Sequence, residues 1–194
     1  MTLVDTPPQV QQPPSLTDVL NGIPQITNDY LYHKRAMFEV ILHTKAQRVL
    51  EAGTDVGDSA RIFAHALRMT GGALITVDKR TVDQGWAKDY PNVKFVVGDS
   101  LGVATSQPLD VLYLDDHNDD TDTKTHVGKE LDLLGVWVRK GGFIIIDDTC
   151  HDKFGPGVTA SIRTWCAKHG LPWYEDPRGH GMAFIEVLSD LPHA

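Results

Sequence analysis

The 194-residue chain predicts an α/β fold: a doubly wound, mostly parallel sheet with helices on both faces. Three observations predict it. Strand-like and helix-like segments alternate from residue 47 to about residue 170, which implies right-handed crossovers. Two segments, "LDVLYLDD" and "GGFIIIDD", are nearly continuous apolar runs, the pattern of central parallel strands covered on both faces. The alternation then stops at two final strands. Their connector, residues 177–181, is too short for a crossover helix, so this pair is antiparallel.

Taken in order, residues 1–15 are rich in Pro and Gln and read as a flexible arm. A short helix is expected at Thr17–Asn21, stopped by Gly22 and Pro24. A longer one starts after Thr27 or Asn28 and runs to about Lys45, with Leu31, Phe38 and Leu42 on one face. Together these make a helical cap over residues 16–45, which also offers a surface for a homodimer. The core follows over residues 46–190, within a single domain of residues 16–194. "RVLEAG" is the first strand and "DSARIFAHALRM" a helix. "ALITVD" is the second strand, and "TVDQGWAKDY" a short helix or turn. "VKFVVGD" and "LDVLYLDD" are the third and fourth strands, followed by a helix from about Lys124 to Arg139. "GGFIIIDD" is the fifth strand. "GVTASIRTWCAKHG" is a helix that stops at Gly170, because glycine accepts the left-handed conformation a helix end needs. "LPWYED" and "GMAFIEV" close the chain. Trp86, Trp137, Trp165 and Trp173 are core candidates.

Composition narrows the function. Lys and Arg number 18 against 26 Asp and Glu, a net charge of −8, which disfavours a general nucleic-acid binder. No apolar run approaches the ~18 residues of a membrane span, and "MTLVDTPPQVQQPP" lacks the regions of a signal peptide. Two cysteines, Cys150 and Cys166, make no disulfide framework, so a reducing cytosol is the expected setting.

The stretch "VLEAGTDVGDSA" places a glycine turn between a strand and a helix, at the sheet end where α/β folds bind ligands. Gly53 and Gly57 permit a tight turn and close backbone approach. A dinucleotide loop wants G-x-G-x-x-G, with the pyrophosphate resting on amide donors. Here Asp55 stands at the middle glycine's place, and like charges at ~4 Å cost roughly 4 kcal/mol at an effective dielectric of ~20. S-adenosylmethionine has no phosphate and carries two cationic groups, so an acidic loop suits it better. The bland readings are a purely structural turn for the glycines and a helix cap for Asp58.

These residues resemble a family. "VLEAGTDVGDSA" resembles the first motif of class I S-adenosylmethionine-dependent methyltransferases, E-x-G-x-x-x-G-x-S, formed by Glu51, Gly53, Gly57 and Ser59. The resemblance extends over most of residues 47–188. It implies a seven-stranded sheet in the order 3-2-1-4-5-7-6, with the last strand antiparallel. It implies donor binding by Glu51, Gly53, Thr54, Gly57, Ser59, Asp78, Asp99, Ser100 and Asp115. Asp78, closing "LITVD", would bind the ribose hydroxyls, and Asp99, in "VVGDS", the adenine amino group. The bland alternatives are a helix cap for Asp78 and an ordinary Asp turn for Asp99. Trp86 is a candidate to flank the adenine.

"YLDDHNDDTD" and "IIIDDTCHD" end neighbouring strands, so Asp115, Asp147 and Asp148 should meet at one rim. Carboxylates gathered so closely repel unless some are protonated or a cation joins them; a solvated acidic rim is the plain alternative. The metal-dependent small-molecule O-methyltransferases, which this region resembles, hold a divalent metal on such a set. The resemblance thus implies Mg²⁺ or a similar cation on Asp115, Asp147 and Asp148. One departure matters. The catechol-type enzymes of this branch place a Lys where this chain has Asn118. The proton acceptor is then sought in His117 or His151, beside Asp115, since imidazole suits proton transfer near neutral pH. Asp119, Asp120 and Asp122 read as surface and helix-start residues, and His180 as a surface histidine of the last hairpin. Cys150 is given no role, because an acidic setting does not activate a thiol.

Three readings of function follow. The first is an S-adenosylmethionine-dependent methyltransferase acting on a hydroxyl of a small molecule. The second is a non-catalytic accessory module that binds the same donor. The third is an NAD-dependent oxidoreductase, against which Asp55 and the missing third glycine weigh.

Overall fold

A computed structural model describes residues 32–81, 85–115 and 123–192, with side chains from His126 onward in the last segment. Helix α1, Lys34–Thr44, precedes strand β1, Arg48–Ala52. Then come α2 (Asp58–Thr70), β2 (Ala73–Asp78), β3 (Val93–Val97) and β4 (Leu109–Leu114). Helix α3 (Thr123–Leu133), β5 (Val138–Asp147), α4 (Gly155–His169), β6 (Trp173–Asp176) and β7 (Met182–Glu186) complete the chain. The seven strands form one sheet in the order β3-β2-β1-β4-β5-β7-β6, as the resemblance implies. β7 runs antiparallel to both its neighbours, and the remaining pairs are parallel.

The apolar runs are explained by β4, where all six residues are buried. Val111 and Tyr113 face α1 and α2, among Met37, Phe38, Ile41 and Phe63. Leu112 and Leu114 face the opposite layer, with Leu131, Ile162 and Trp165 of α3 and α4. A strand with two buried faces has no polar side, and each such large side chain contributes roughly 1.5–3 kcal/mol by leaving water.

The amino-terminal edge of the sheet is clamped by Asp110. Its Oδ2 accepts from the Gln47 and Arg48 amides at 2.7 and 2.8 Å, and its Oδ1 from Arg139 Nε at 2.6 Å. One carboxylate thereby joins β1, β4 and β5.

Some boundaries differ from the sequence reading. The expected starts at Thr27 and Asn28, the arm, the helix at Thr17–Asn21 and Leu31 lie outside the described residues. The first long helix begins at Lys34, after a turn at Tyr32 and His33 and so later than expected, and ends as expected, with Lys45 left-handed at φ 50°. The helix expected to reach Arg139 stops at Leu133, and Gly135–Trp137 form a 3-10 turn. Val138 then pairs with Leu109, so sheet pairing ends the helix. Gly135 suits this tight turn, since a Cβ there would come within 3.1 Å of the Trp165 ring. α4 begins two residues early, at Gly155, and ends at Gly170 as predicted. "TVDQGWAKDY" contributes a 3-10 turn at Gly85–Asp89. Trp165 is a core residue, whereas Trp86, Trp137 and Trp173 are only half-buried.

Candidate active site

The carboxyl ends of β1, β2, β4 and β5 converge on the loop after β1. Gly53 and Gly57 both take positive φ, 92° and 84°, which the sequence turn required. At Gly57 the reason is also spatial: a Cβ would lie 2.5 Å from the Trp86 ring. Trp86 therefore packs on the loop and on Arg61, whose guanidinium is 5.4 Å from its ring centroid. The loop turns back on itself through Gly57 N donating to Thr54 O at 2.8 Å.

Glu51 lies beneath this turn, fully buried, and accepts from Ser59 Oγ at 2.5 Å. Burial pushes its carboxyl up to about 7, against the pull of the hydrogen bond. Thr54 is buried too, its hydroxyl 2.5 Å from that of Thr76. Glu51, Ser59 and Thr54 thus shape the loop from below.

Asp78 closes β2 and holds the loop from the side. Its Oδ2 accepts from the Thr54 and Asp55 amides at 3.2 and 3.0 Å, and its Oδ1 from the Arg80 amide at 2.8 Å. Burial works to raise its pKa, but these bonds and the Arg80 guanidinium outweigh it and hold the carboxyl below its usual range. Arg80 also reaches Asp55, at 3.0 Å. Asp55 is paired with Arg80 in the fold rather than standing as an unopposed charge, which weakens the case against phosphate. Asp58 does not cap its helix, because Gly57 holds the cap position; it pairs with Arg61 at 2.7 Å instead. Asp99 is exposed, accepts from the Leu101 amide at 3.0 Å and lies 3.5 Å from Lys79 Nζ. It is both an ordinary turn residue and a member of the rim. Ser100, next to it, is buried.

At the other half of the rim, the Asp115 amide donates to the Ala52 carbonyl at 2.8 Å, which sets the β4 acid beside Gly53. Asp147 is buried at the end of β5. Its Oδ1 accepts from the Asp148 amide at 2.9 Å and its Oδ2 from the Tyr113 hydroxyl at 3.0 Å. That hydroxyl is also 3.4 Å from Asp115 Oδ2. Burial, then the neighbouring Asp148 charge, pushes the Asp147 carboxyl up to about 7. Asp148 carries a left-handed backbone, φ 62°, uncommon outside glycine and most tolerable for Asp or Asn. His180 is exposed, as the sequence reading expects, and its Nδ1 lies 3.5 Å from Asp148 Oδ1, so the last hairpin reaches the rim. His151 packs edge-on to His180 at 4.9 Å and stacks on Phe154. Its Nδ1 accepts from the Lys153 amide at 3.1 Å, so a neutral ring keeps its proton on Nε2. His117, Asn118, Asp119, Asp120 and Asp122 lie outside the described residues.

The donor chemistry at this rim, hard carboxylate oxygen, fits a hard divalent cation. Asp147 and Asp148 repel one another across a short distance, a cost that a cation would relieve. Among the described residues, however, no three such side chains already converge as a ligand set. A cavity of about 530 Å³ adjoins the rim, lined by Thr149, Cys150, His151, Thr159 and Arg163. A second, of about 630 Å³, lies on the outer α1 face against Val40, Phe143, Trp173 and Phe184, away from these acids.

Two residues at this rim escaped the sequence reading: Tyr113 and Arg80. Only Tyr113 left a trace, as a hydroxyl inside a strand whose other polar residue is Asp110.

The reversed β7 sets this sheet apart from the dinucleotide-binding order 3-2-1-4-5-6. With the glycine loop over β1, it defines the class I fold of the S-adenosylmethionine-dependent methyltransferases. The chain belongs to the methyltransferase-domain family, whose model matches residues 50–149, from β1 past the end of β5. No curated protein matches the chain. Among solved structures, it resembles a Staphylococcus aureus protein provisionally assigned as a caffeoyl-CoA O-methyltransferase. The TM-score is 0.67 at 15% identity, over 86% of this chain and 87% of that one. It also resembles the TDP-rhamnose 3′-O-methyltransferase of calicheamicin biosynthesis, with TM-score 0.66, 15% identity, and coverage of 91% and 88%. A third is the O-methyltransferase TomG of Streptomyces achromogenes, involved in tomaymycin synthesis and solved with S-adenosylmethionine. Its TM-score is 0.58 at 18% identity, with coverage of 93% and 92%. At these identities the likenesses establish the fold. No helix among the described residues is long and apolar enough to cross a membrane.

Proposed function

We propose that the protein transfers the methyl group of S-adenosylmethionine to a hydroxyl of a small molecule, with a divalent cation held by Asp115, Asp147 and Asp148. One observation carries this reading: the β4 acid and the β5 acid share the Tyr113 hydroxyl, directly beside the glycine loop. The names of the structural relatives, several of them O-methyltransferases, support the hydroxyl acceptor.

In this reading the loop of Gly53, Thr54 and Gly57, held from below by Glu51 and Ser59, cradles the donor. Asp78 and Asp99 meet its ribose and adenine, with Ser100 behind, and Asp115 faces its amino-acid end. A bound Mg²⁺ would lower the pKa of the acceptor hydroxyl. The proton passes to His117, or to His151 once its Nδ1 gives up the Lys153 amide. The sulfonium is already an activated leaving group, so the protein's main contribution is to align donor and acceptor. The acceptor enters by the cavity at His151 and Arg163.

Calorimetry with S-adenosylmethionine, S-adenosylhomocysteine and NAD tests the donor: the first two bind and NAD does not. Tight binding of NAD alone overturns the reading. Donor binding without turnover, across a screen of hydroxylated metabolites with labelled donor, would indicate an accessory module. The cation is tested by titrating Mg²⁺ into wild type and Asp147→Ala, where turnover should depend on Mg²⁺ in the first and be lost in the second.

A further inference from the structure

We infer that the methyl acceptor is an anion, and that Arg163 binds its carboxylate or phosphate in the cavity beside the rim. This inference rests on the methyl-transfer reading above and makes no use of the cation. The cavity, of about 530 Å³, has room for a whole small molecule. One wall, residues 149–152, follows Asp148 directly, and the Cys150 amide ties it to the last hairpin by donating to the His180 carbonyl at 2.7 Å. The other wall is one face of α4, where Gly155, Thr159 and Arg163 recur at helical spacing.

Arg163 is available to a ligand. It is exposed, and it makes no ion pair or hydrogen bond with any side chain among the described residues. Basic groups at the other cavities differ. The cavity against α1 is lined by Glu39, Asp176 and Glu186 and by no Lys or Arg. Lys168, in a cleft of about 180 Å³ between α3 and α4, is held by Asp132 at 2.8 Å. Asp152 lines the same cavity as Arg163 but does not pair with it. The start of α4 offers an anion no amide: Gly155, Gly157 and Val158 donate to the His151 and Phe154 carbonyls, and Pro156 has no N–H. Thr159 gives its hydroxyl to the Thr149 carbonyl at 3.2 Å. Recognition of charge therefore falls to the guanidinium, whose planar fork matches a carboxylate or a phosphate.

The position of Arg163 also orients the acceptor. It stands eight residues beyond Gly155, about 12 Å along the helix axis. The acceptor's anion is thus held away from its hydroxyl. The carboxylates of the rim repel that anion while Arg163 attracts it, so the molecule lies with its hydroxyl toward the rim.

The test is initial-rate methylation by the full chain with labelled S-adenosylmethionine. The panel is hydroxyphenylalkanoic acids of graded chain length, each against its methyl ester, and hydroxyphenylalkyl phosphates, each against the parent alcohol. Wild type should favour an anion over its neutral partner about 10- to 100-fold in kcat/KM, chiefly through KM, as expected for hydrogen bonds between charged groups. The series that leads separates carboxylate from phosphate. Arg163→Gln should lose the preference, and Arg163→Lys, which keeps the charge without the fork, should retain part of it. Arg68→Gln removes an equal charge from the end of α2, outside the cavity, and should keep the wild-type preference. Neutral partners methylated as well as the anions, or a preference that survives in Arg163→Gln, overturns the role of Arg163 and leaves methyl transfer standing. Turnover of no member of the panel, with the donor bound, overturns both.

Discussion

The Arg80 guanidinium lies 3.0 Å from the Asp55 carboxylate, across the mouth of the glycine loop, and its Nε lies 3.3 Å from Asp78. The acidity of the loop is therefore partly answered from within the chain. Arg80 and Asp55 are both about two-thirds exposed, so their pairing is screened by water and worth little to stability. Its importance lies in the field at the mouth.

Arg80→Gln should favour the sulfonium donor over its neutral-sulfur product. Removing one positive charge near the loop strengthens binding of S-adenosylmethionine relative to S-adenosylhomocysteine, by roughly two- to fivefold, a surface-scale effect. Paired calorimetric titrations of the two ligands check it. Both affinities weakened with their ratio unchanged would show that Arg80 contacts the carboxylate the two ligands share instead.

Gly57→Ala should be severe. The Cβ meets the Trp86 ring at 2.5 Å, and the backbone at φ 84° is strained for any side chain. Overpacking and left-handed strain together cost roughly 2–4 kcal/mol. At ~2–4 °C per kcal/mol for a chain of this size, the melting temperature should drop by about 5–15 °C. Gly71→Ala is the control. Its φ is 78°, but nothing stands within 4 Å of the added Cβ, so only the strain term remains.

Stability should fall as pH rises through the neutral range. The Glu51 carboxyl is raised in the folded protein from 4.5 to about 7, so the native state holds a proton that the unfolded chain has released. The stabilisation is complete below about 4.5 and is lost as pH climbs through about 7. Asp147, also raised to about 7, acts in the same direction. Glu51→Gln should flatten this slope, as measured by denaturant unfolding between pH 5 and pH 8 without added metal. Asp176 acts oppositely. The Arg178 side chain holds it down at about 2, so its contribution exists above its unfolded value of 3.8 and disappears toward pH 2. A slope left unchanged by Glu51→Gln would contradict the burial of Glu51, whereas His33, His65 and His169, lowered by burial, act in the opposite direction in both proteins.

Asp110→Ala should destabilise the fold without touching the rim. It removes acceptors for two β1-edge amides and for Arg139, at the opposite end of the sheet from the loop. Hydrogen bonds to a charged group are worth about 1.5–3 kcal/mol each, and solvent replaces part of that, so a loss of roughly 2–4 kcal/mol is expected. Urea unfolding measures it, and donor affinity in the folded variant should be unchanged.

The sequence by itself determined the architecture. The doubly wound sheet, the antiparallel closing pair and the turn at Gly53 and Gly57 follow from local rules. Apolar runs mark buried strands, a connector of a few residues cannot cross over, and glycine alone enters positive φ freely. The end of α4 at Gly170 is legible for the same reason. What surrounds each charge was decided by tertiary structure. Nothing near Asp55 in the chain announces Arg80, which arrives 25 residues later by way of β2. Asp58 reads as a cap until Gly57 takes that place, and only the folded last hairpin brings the exposed His180 to Asp148. The end of α3 likewise gave way to pairing between Val138 and Leu109. Tyr113 looked like one more buried strand residue, and only the parallel alignment of β4 with β5 shows where its hydroxyl goes. Electrostatic energies depend on distances in space, and those distances are fixed by strand order and register rather than by separation along the chain.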